Sequence, residues 1–161
     1  MSASFAVRRC ADIARARELH AFTQAVFGVL DIDPPSSVLK ETAADFAARL
    51  RDETAFIVEA EAQLVGSVFC ATKGDALHVG RLAVAPAWRR RGVASALVEA
   101  AKAEAAKAEA RRRGLARITL GARIALPGNV ALFSRHGFAI VAETCHPGFT
   151  RPTSYDMELR L

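Results

Sequence analysis

The sequence is poor in cysteine and contains no long apolar run. Three cysteines, Cys10, Cys70 and Cys145, are spread over 161 residues and form no CxxC pair. This spacing argues against a zinc site or a disulfide framework, so we predict a cytoplasmic protein with no metal. No stretch approaches the roughly 18 apolar residues of a membrane-spanning helix. The first ten residues also lack the apolar segment of a secretory signal, and we therefore expect no membrane association.

Two common nucleotide-binding motifs are missing as well. The chain has neither the GxGxxG pattern of dinucleotide-binding folds nor the GK[ST] of a P-loop. A net charge of +5 nevertheless favours an anionic partner. The densest basic clusters, Arg89–Arg91 and Arg111–Arg113, flank a helical segment, whereas a helix that reads a nucleic-acid groove carries its arginines along one face. We therefore expect no nucleic-acid partner, although an oligonucleotide-binding role stays open as a hypothesis.

Hydrophobic periodicity predicts one domain, residues 1–161, with the element order β-α-α-β-β-β-α-β-α-β-β. Asp12 is the expected cap of the first helix, which Gly28 ends, and Ser36 or Ser37 is expected to begin the second. A long alanine-rich helix is predicted over residues 93–113. Antiparallel hairpins combined with one strand–helix–strand crossover indicate a mixed α/β sheet. We predict seven strands, mostly antiparallel, with helices on both faces.

The junction before the long helix has the chemistry of an anion site. A helix start leaves about four amide N–H groups unpaired and has roughly half a positive charge. Gly92 has no Cβ to block an approaching anion, and the preceding arginines add formal charge. These features together suit a diphosphate that needs no metal. The alternative is that the three arginines are solvated and Gly92 only turns the chain.

Two stretches resemble the GNAT superfamily of N-acetyltransferases. "LAVAPAWRRRGVASALV" is similar to its core signature, Arg/Gln-x-x-Gly-x-Gly/Ala, which Arg89, Gly92 and Ala94 match. "NVALFSRHGF" is similar to the family's later short helix, which ends in an aromatic residue, three residues and Gly-Phe. The order of predicted elements agrees with the family across nearly the whole chain. The resemblance therefore favours the phosphate-binding interpretation of the junction.

The resemblance implies a site for acetyl-CoA as co-substrate. The helix start would hold the diphosphate, the main chain of the fourth strand would pair with the pantetheine arm, and Gly80 would help that strand to bend or bulge. The later helix would line the wall near the thioester. The residues implied are Leu82, Ala83, Val84, Arg89, Arg90, Arg91, Gly92, Val93, Ala94, Ser95, Asn129 and Phe133.

Acetyl transfer to an amine requires the amine to be neutral. Removing a proton from a lysine-like amine of pKa near 10.4 costs about 4.6 kcal/mol at pH 7, so a base matters more than an acid. His78 stands where some relatives have a glutamate base, and a neutral imidazole can accept a proton. The usual tyrosine acid is replaced by Phe133, which leaves Tyr155, the single tyrosine, or water as candidates. A solvent-facing role for His78 stays open.

The acceptor is the least defined part of the prediction. Arg81 could bind a carboxylate of the acceptor, and the loop that contains His146 is expected beside its pocket. We predict acetyl transfer to a primary amine of a small molecule, peptide or protein. The alternative is a catalytically weak module that binds or senses acyl-CoA. The resemblance is also compatible with a homodimer paired through the last strands.

Overall fold

The computed structural model describes residues 4–112 and 114–161, with the side chains of Ala110 and Arg112 left out. The predicted basic cluster at 111–113 thus lies partly outside the described residues. The elements are β1 (Ala6–Cys10), α1 (Ala16–Gly28), α2 (Ala43–Asp52), β2 (Thr54–Ala60), β3 (Gln63–Lys73), β4 (Ala76–Val84), α3 (Val93–Arg112), β5 (Arg117–Arg123), α4 (Pro127–Arg135), β6 (Ala139–Thr144) and β7 (Ser154–Arg160). Among these residues, no helix has both the length and the apolarity that a bilayer crossing needs.

One seven-stranded sheet runs through the fold in the order β1-β2-β3-β4-β5-β7-β6. All neighbouring pairs are antiparallel except β4 and β5. One core lies between the sheet and α3, around residues such as Leu97 and Ile118. The other core lies on the side of α1 and α2, around Leu19 and Phe46. The predicted fold class is therefore confirmed, because apolar side chains of both sheet faces are covered by helices.

The first two helices begin where capping chemistry allows. Asp12 caps a short 3-10 helix at Ile13–Arg15, where the Ala14 amide donates to Asp12 Oδ1 at 3.0 Å. Helix α1 follows this turn directly, without a side-chain cap of its own, and ends at Gly28, as the sequence predicts. The predicted start of the second helix at Ser36 or Ser37 is wrong, because Ser36 caps only a short 3-10 helix at Ser37–Lys40. Helix α2 instead begins after Thr42, whose side chain and that of Asp45 each bond the other's backbone N–H. This reciprocal pair satisfies two free amides and outcompetes a serine alone.

Strands β4 and β5 pair only over a short length. Their parallel register runs from Ala76 opposite Arg117 to Val79 opposite Leu120 and then stops. On its other side β4 has a bulge, because Ser67 and Phe69 of β3 face Ala83 and Gly80. The strands therefore separate just after Val79.

The bulge is built differently from the prediction. Its left-handed residue is Arg81, with φ of 57°, and Gly80 keeps a φ that any residue adopts. A positive φ costs an arginine roughly 1 kcal/mol or more, so tertiary contacts must hold Arg81 in place.

A glycine on β3 sets the distance of α3 from the sheet. A Cβ on Gly66 would lie 2.7 Å from Val93 Cγ1 and 3.1 Å from Leu97 Cδ1. Both of these side chains are buried. The absence of a side chain at Gly66 therefore lets the first turn of α3 pack directly on the sheet.

Candidate active site

A cleft of about 820 Å³ opens where β4 and β5 separate. Its walls are the free edge of β4, the start of α3, the start of α4 and the C-terminal part of α1 with the loop that follows. Such a crevice at the ends of diverging strands is a usual place for a ligand in α/β proteins.

The start of α3 lies on the wall of this cleft. Its first helical bond runs from the Ala96 amide to the Gly92 carbonyl, at 3.0 Å, so the amides of the three residues between them lie ahead of the helical ladder. Arg90 and Gly92 both have left-handed backbones, with φ of 62° and 85°. The nearest atom to a Cβ built on Gly92 would be Phe5 Cζ, at 4.0 Å. An anion can therefore approach these amides.

The three arginines of the junction do different things. Arg89 and Arg90 line the cleft beside the helix start. The Arg91 guanidinium instead stacks on Trp88, 4.9 Å from the ring centroid. Arg91 is not part of the cleft wall, although its amide precedes the helix. Two of the three charges are thus available to an anion, and the third contacts an aromatic face.

The remaining residues of the expected co-substrate site fall on two walls. Leu82 and Val84 line the cleft from β4, whereas the Ala83 side chain is 1% exposed and packs in the core. The β4 edge that follows Val79 has no strand partner on the β5 side within the described residues. Its backbone groups can therefore pair with an extended ligand, as an added strand does.

The wall opposite β4 comes from α4. Asn129 and Phe133 line the cleft there. Phe133 is buried and packs edge-on against Phe138, with ring centroids 6.2 Å apart. This side chain has no proton to donate.

His78 faces the cleft from β4 and is held by its neighbour on β5. Its Nδ1 lies 3.0 Å from Thr119 Oγ1. Burial lowers the pKa of His78 below its ordinary value, and the charges of Lys73 and Arg81 lower it further. The ring is therefore neutral at pH 7, and its Nε2 has no hydrogen-bond partner among the described residues. A neutral imidazole with one free nitrogen can accept a proton.

Arg81 also lines the cleft, but its charge is already paired. Its Nε donates to Glu41 Oε1 at 2.6 Å, and Glu41 also accepts from Arg49 Nε at 2.9 Å. Burial raises the pKa of Glu41, yet the two arginine hydrogen bonds outweigh it and hold that pKa below its usual value. The predicted contact between Arg81 and an acceptor carboxylate thus competes with this ion pair.

His146 and Tyr155, the other two predicted site residues, lie in different places. His146 lines the cleft, its ring bonds Thr153, and burial followed by the charge of Arg123 lowers its pKa. Tyr155 is outside the cleft lining and packs against the core on the α3 side, while its neighbours Ser154 and Asp156 reach the cleft. Strand alternation produces this difference.

Two features of the cleft were missed by sequence reasoning. Asp156 places a carboxylate on the wall that His78 shares, and Trp88 lines the cleft beside the arginines. Outside the cleft, His136 is the C-terminal cap residue of α4, and its ring also bonds Glu99 and Ser95 of α3. Strict alternation in "SYDMELRL" was a signal for Asp156, since Tyr155 and Met157 are the core-facing residues of that strand.

Comparison with known families agrees with this architecture. The family model described as an acetyltransferase (GNAT) domain matches residues 51–140, more than half of the chain. The chain belongs to the GNAT acetyltransferase family. The predicted family is thereby confirmed, and the protein is a GNAT N-acetyltransferase. No curated protein sequence matches the chain.

Solved GNAT structures share the fold at low identity. An acetyltransferase of the GNAT family from Streptococcus pneumoniae is 17% identical, with 98% of this chain and 99% of that chain covered and a TM-score of 0.77. The PaiA N-acetyltransferase from Thermoplasma acidophilum, in complex with coenzyme A, is 12% identical over 98% and 99% of the two chains, with a TM-score of 0.74. The ribosomal-protein-S18-alanine N-acetyltransferase from Escherichia coli is 18% identical over 98% and 94%, with a TM-score of 0.69.

Proposed function

We propose that this GNAT protein transfers an acetyl group directly from acetyl-CoA to a primary amine of a small molecule, peptide or protein. The observation that supports this most is the start of α3, where free amides, two left-handed residues and two arginines meet on one cleft wall. A diphosphate is the ligand chemistry that this arrangement suits. The CoA complex of a structural neighbour of the same fold adds support.

The described residues fit acetyl-CoA, which would supply the acyl group as an activated thioester. The amides of residues 93–95, with Arg89 and Arg90, would hold its diphosphate. The unpaired edge of β4 at Leu82–Val84 would bind the amide groups of the pantetheine arm. Asn129 and Phe133 would close the other side and exclude water.

His78 is the proposed base. If its Nδ1 donates to Thr119 Oγ1, the lone pair on Nε2 faces the cleft and can take the proton of an acceptor ammonium. The lowered pKa keeps this lone pair free at pH 7, at the cost of weaker basicity. The amine gives up its proton on binding or through a water relay. For His78 to receive that proton, its ring must be unprotonated, and this matters more than a high pKa.

Among the described residues that line the pocket, the acid is Asp156. Asp156 is exposed on the wall near His78, and its carboxylate would attract a protonated amine before the proton is lost. An apolar surface from α1 and the next loop, including Phe27, Leu30 and Ile32, would contact the rest of the acceptor. Phe133 offers no acid, so we expect the thiolate to leave unaided or to take a proton from water.

The experiment is calorimetric titration of CoA into variants with an added carboxylate. Gly92→Glu should abolish binding, because the new charge and side chain occupy the anion site. Ala94→Glu repeats the test at a helical position without the backbone strain of residue 92. Ala106→Glu, exposed on the same helix, adds the same charge elsewhere and should bind normally. Unchanged affinity in folded Gly92→Glu and Ala94→Glu would refute the proposal.

Turnover separates catalysis from sensing. Release of free CoA from acetyl-CoA across a panel of primary amines should exceed the rate without an amine. Binding of CoA with no amine-dependent release over a broad panel would favour the acyl-CoA-binding module.

A further inference from the structure

His136 connects α4 to the start of α3 through two hydrogen bonds. Its Nδ1 lies 2.8 Å from Glu99 Oε1, and its Nε2 lies 3.1 Å from Ser95 Oγ. The ring is largely buried, with 13% of its side chain exposed, and is not part of the cleft lining. Ser95, in contrast, lies on the cleft wall in the first turn of α3. The hydrogen bond that links His136 to the cleft wall is therefore the one to the Ser95 hydroxyl.

The proton on each nitrogen follows from what its partner can accept. The hydrogen bond from His136 holds the pKa of Glu99 below its usual value, so this carboxylate is ionised at neutral pH and accepts from Nδ1–H. In a neutral ring Nε2 must then accept, and the Ser95 hydroxyl turns its hydrogen toward the ring. In a protonated ring Nε2–H donates to Ser95 Oγ, and the hydroxyl hydrogen is free to point into the cleft.

These two states present opposite groups to a ligand. With a neutral ring, the cleft sees the lone pairs of Ser95 Oγ, which disfavour an anion. With a protonated ring, it sees a hydroxyl donor backed by a positive charge, which favours an anion. Among the residues given for the diphosphate site, Ser95 is the one whose hydrogen-bonding direction depends on a second side chain.

We propose that His136 is a positioning residue that orients the Ser95 hydroxyl, and that the diphosphate of coenzyme A binds together with one proton on His136. This inference rests on the proposed CoA site. By linkage, a ligand that binds together with a proton binds more tightly as the pH falls. The uptake of one proton sets an upper limit of about tenfold in affinity per pH unit.

The charges around His136 are few and mostly fixed. From α3, Glu99 and Lys102 face it, and Lys102 Nζ donates to the His136 carbonyl at 3.2 Å and to Glu99 at 3.3 Å. From α4, Arg135 is its chain neighbour, and at the helix start Arg89 and Arg90 line the same cleft. Carboxylates, lysines and arginines keep their charge between pH 6 and 8. His78 and His146, both in the cleft, are the other described histidines there and need controls.

The test is the affinity of dephospho-CoA between pH 6 and 8 by calorimetry. This ligand keeps the diphosphate but lacks the 3′-phosphate, whose own second ionisation near pH 6 would confuse the result. We expect wild-type affinity to fall by about fivefold or more from pH 6 to 8, with uptake of protons seen in buffers of different ionisation enthalpy. Ser95→Ala and His136→Gln should each change by less than about twofold over the same range.

The comparison of variants decides between explanations. His78→Gln and His146→Gln should each keep the wild-type pH dependence, since these rings bond Thr119 and Thr153 and not Ser95. The role of His136 would be overturned if the wild-type affinity did not change with pH, or if folded Ser95→Ala kept the full pH dependence. Either result would leave the CoA site intact. No binding of CoA at any pH would instead overturn the proposed function, and this inference with it.

Discussion

The ion pairs around Glu41 predict that a near-isosteric substitution there lowers stability. Glu41 precedes α2 and accepts from Arg81 on the β4 bulge and from Arg49 on α2. Glu41→Gln keeps the size and removes the charge between the two guanidinium groups. Arg81 then loses the partner that holds it in its left-handed conformation, at the point where the cleft opens.

The burial of the three side chains sets the magnitude. Glu41 is 13% exposed, and Arg49 and Arg81 are 26% and 27% exposed. Exposed ion pairs contribute about 0–1 kcal/mol, whereas breaking a buried one costs about 3–5 kcal/mol. A half-buried pair of contacts lies between these limits, so we expect a loss of about 2–3 kcal/mol in the free energy of unfolding. For a chain of this size, that lowers Tm by about 5–10 °C.

The assay is urea unfolding at pH 7, followed by circular dichroism, with Asp75→Asn as control. Asp75 pairs with Arg117 at 3.3 Å, and both side chains are about half exposed, so its substitution should cost less than about 1 kcal/mol. Because the pKa of Glu41 is lowered in the fold, its stabilisation is present above pH 4.5 and is lost as the pH falls through the lowered value. A loss equal to that of the control at pH 7 would refute the reasoning.

Three other substitutions or reactions test separate parts of the structure. Gly66→Ala should destabilise the fold by about 1–3 kcal/mol in urea, because its methyl group meets Val93, whereas Gly128→Ala has open space and should cost nothing; equal effects would contradict the packing of α3. His78→Gln should lower kcat/KM for an identified amine. In the wild type, the fall of kcat/KM at acidic pH should lie below pH 6.5, and it should be absent in the variant. If the variant keeps this acidic fall, His78 is not the base. Native protein should react with one equivalent of DTNB at Cys145, since the other two thiols are buried. Rapid reaction of all three thiols with DTNB would contradict this burial.

Local sequence patterns were sufficient for the architecture. Within the part of the chain that the structure describes, periodicity and turn residues predicted the eleven α-helices and strands in their order, because a strand alternates and a helix repeats within a few residues. The glycine and arginines at Arg89–Gly92 and the later "HGF" were enough to indicate the family. The start of α2 was misplaced because a serine cap and a capping box compete locally, and only the latter forms two bonds.

The details of the cleft depended on residues far apart in the chain. Arg81 meets Glu41 across 40 positions, and His136 meets Ser95 across 41. The left-handed residue of the bulge is Arg81 and not the adjacent glycine, since the register of β3 on β4 determines where the extra residue lies. No local pattern encodes such pairs.

The sequence by itself determined which elements form, in what order, and that a helix start with free amides follows a strand. The tertiary structure alone decided which side chains share the cleft with it: that Asp156 enters and Tyr155 does not, that Arg81 is neutralised, and that His136 lies behind Ser95. The physical reason is the distance along the chain over which each kind of interaction acts. Backbone conformation and capping are set within a few residues, whereas ion pairs and hydrogen bonds between elements exist only after the sheet has closed and its cores have packed.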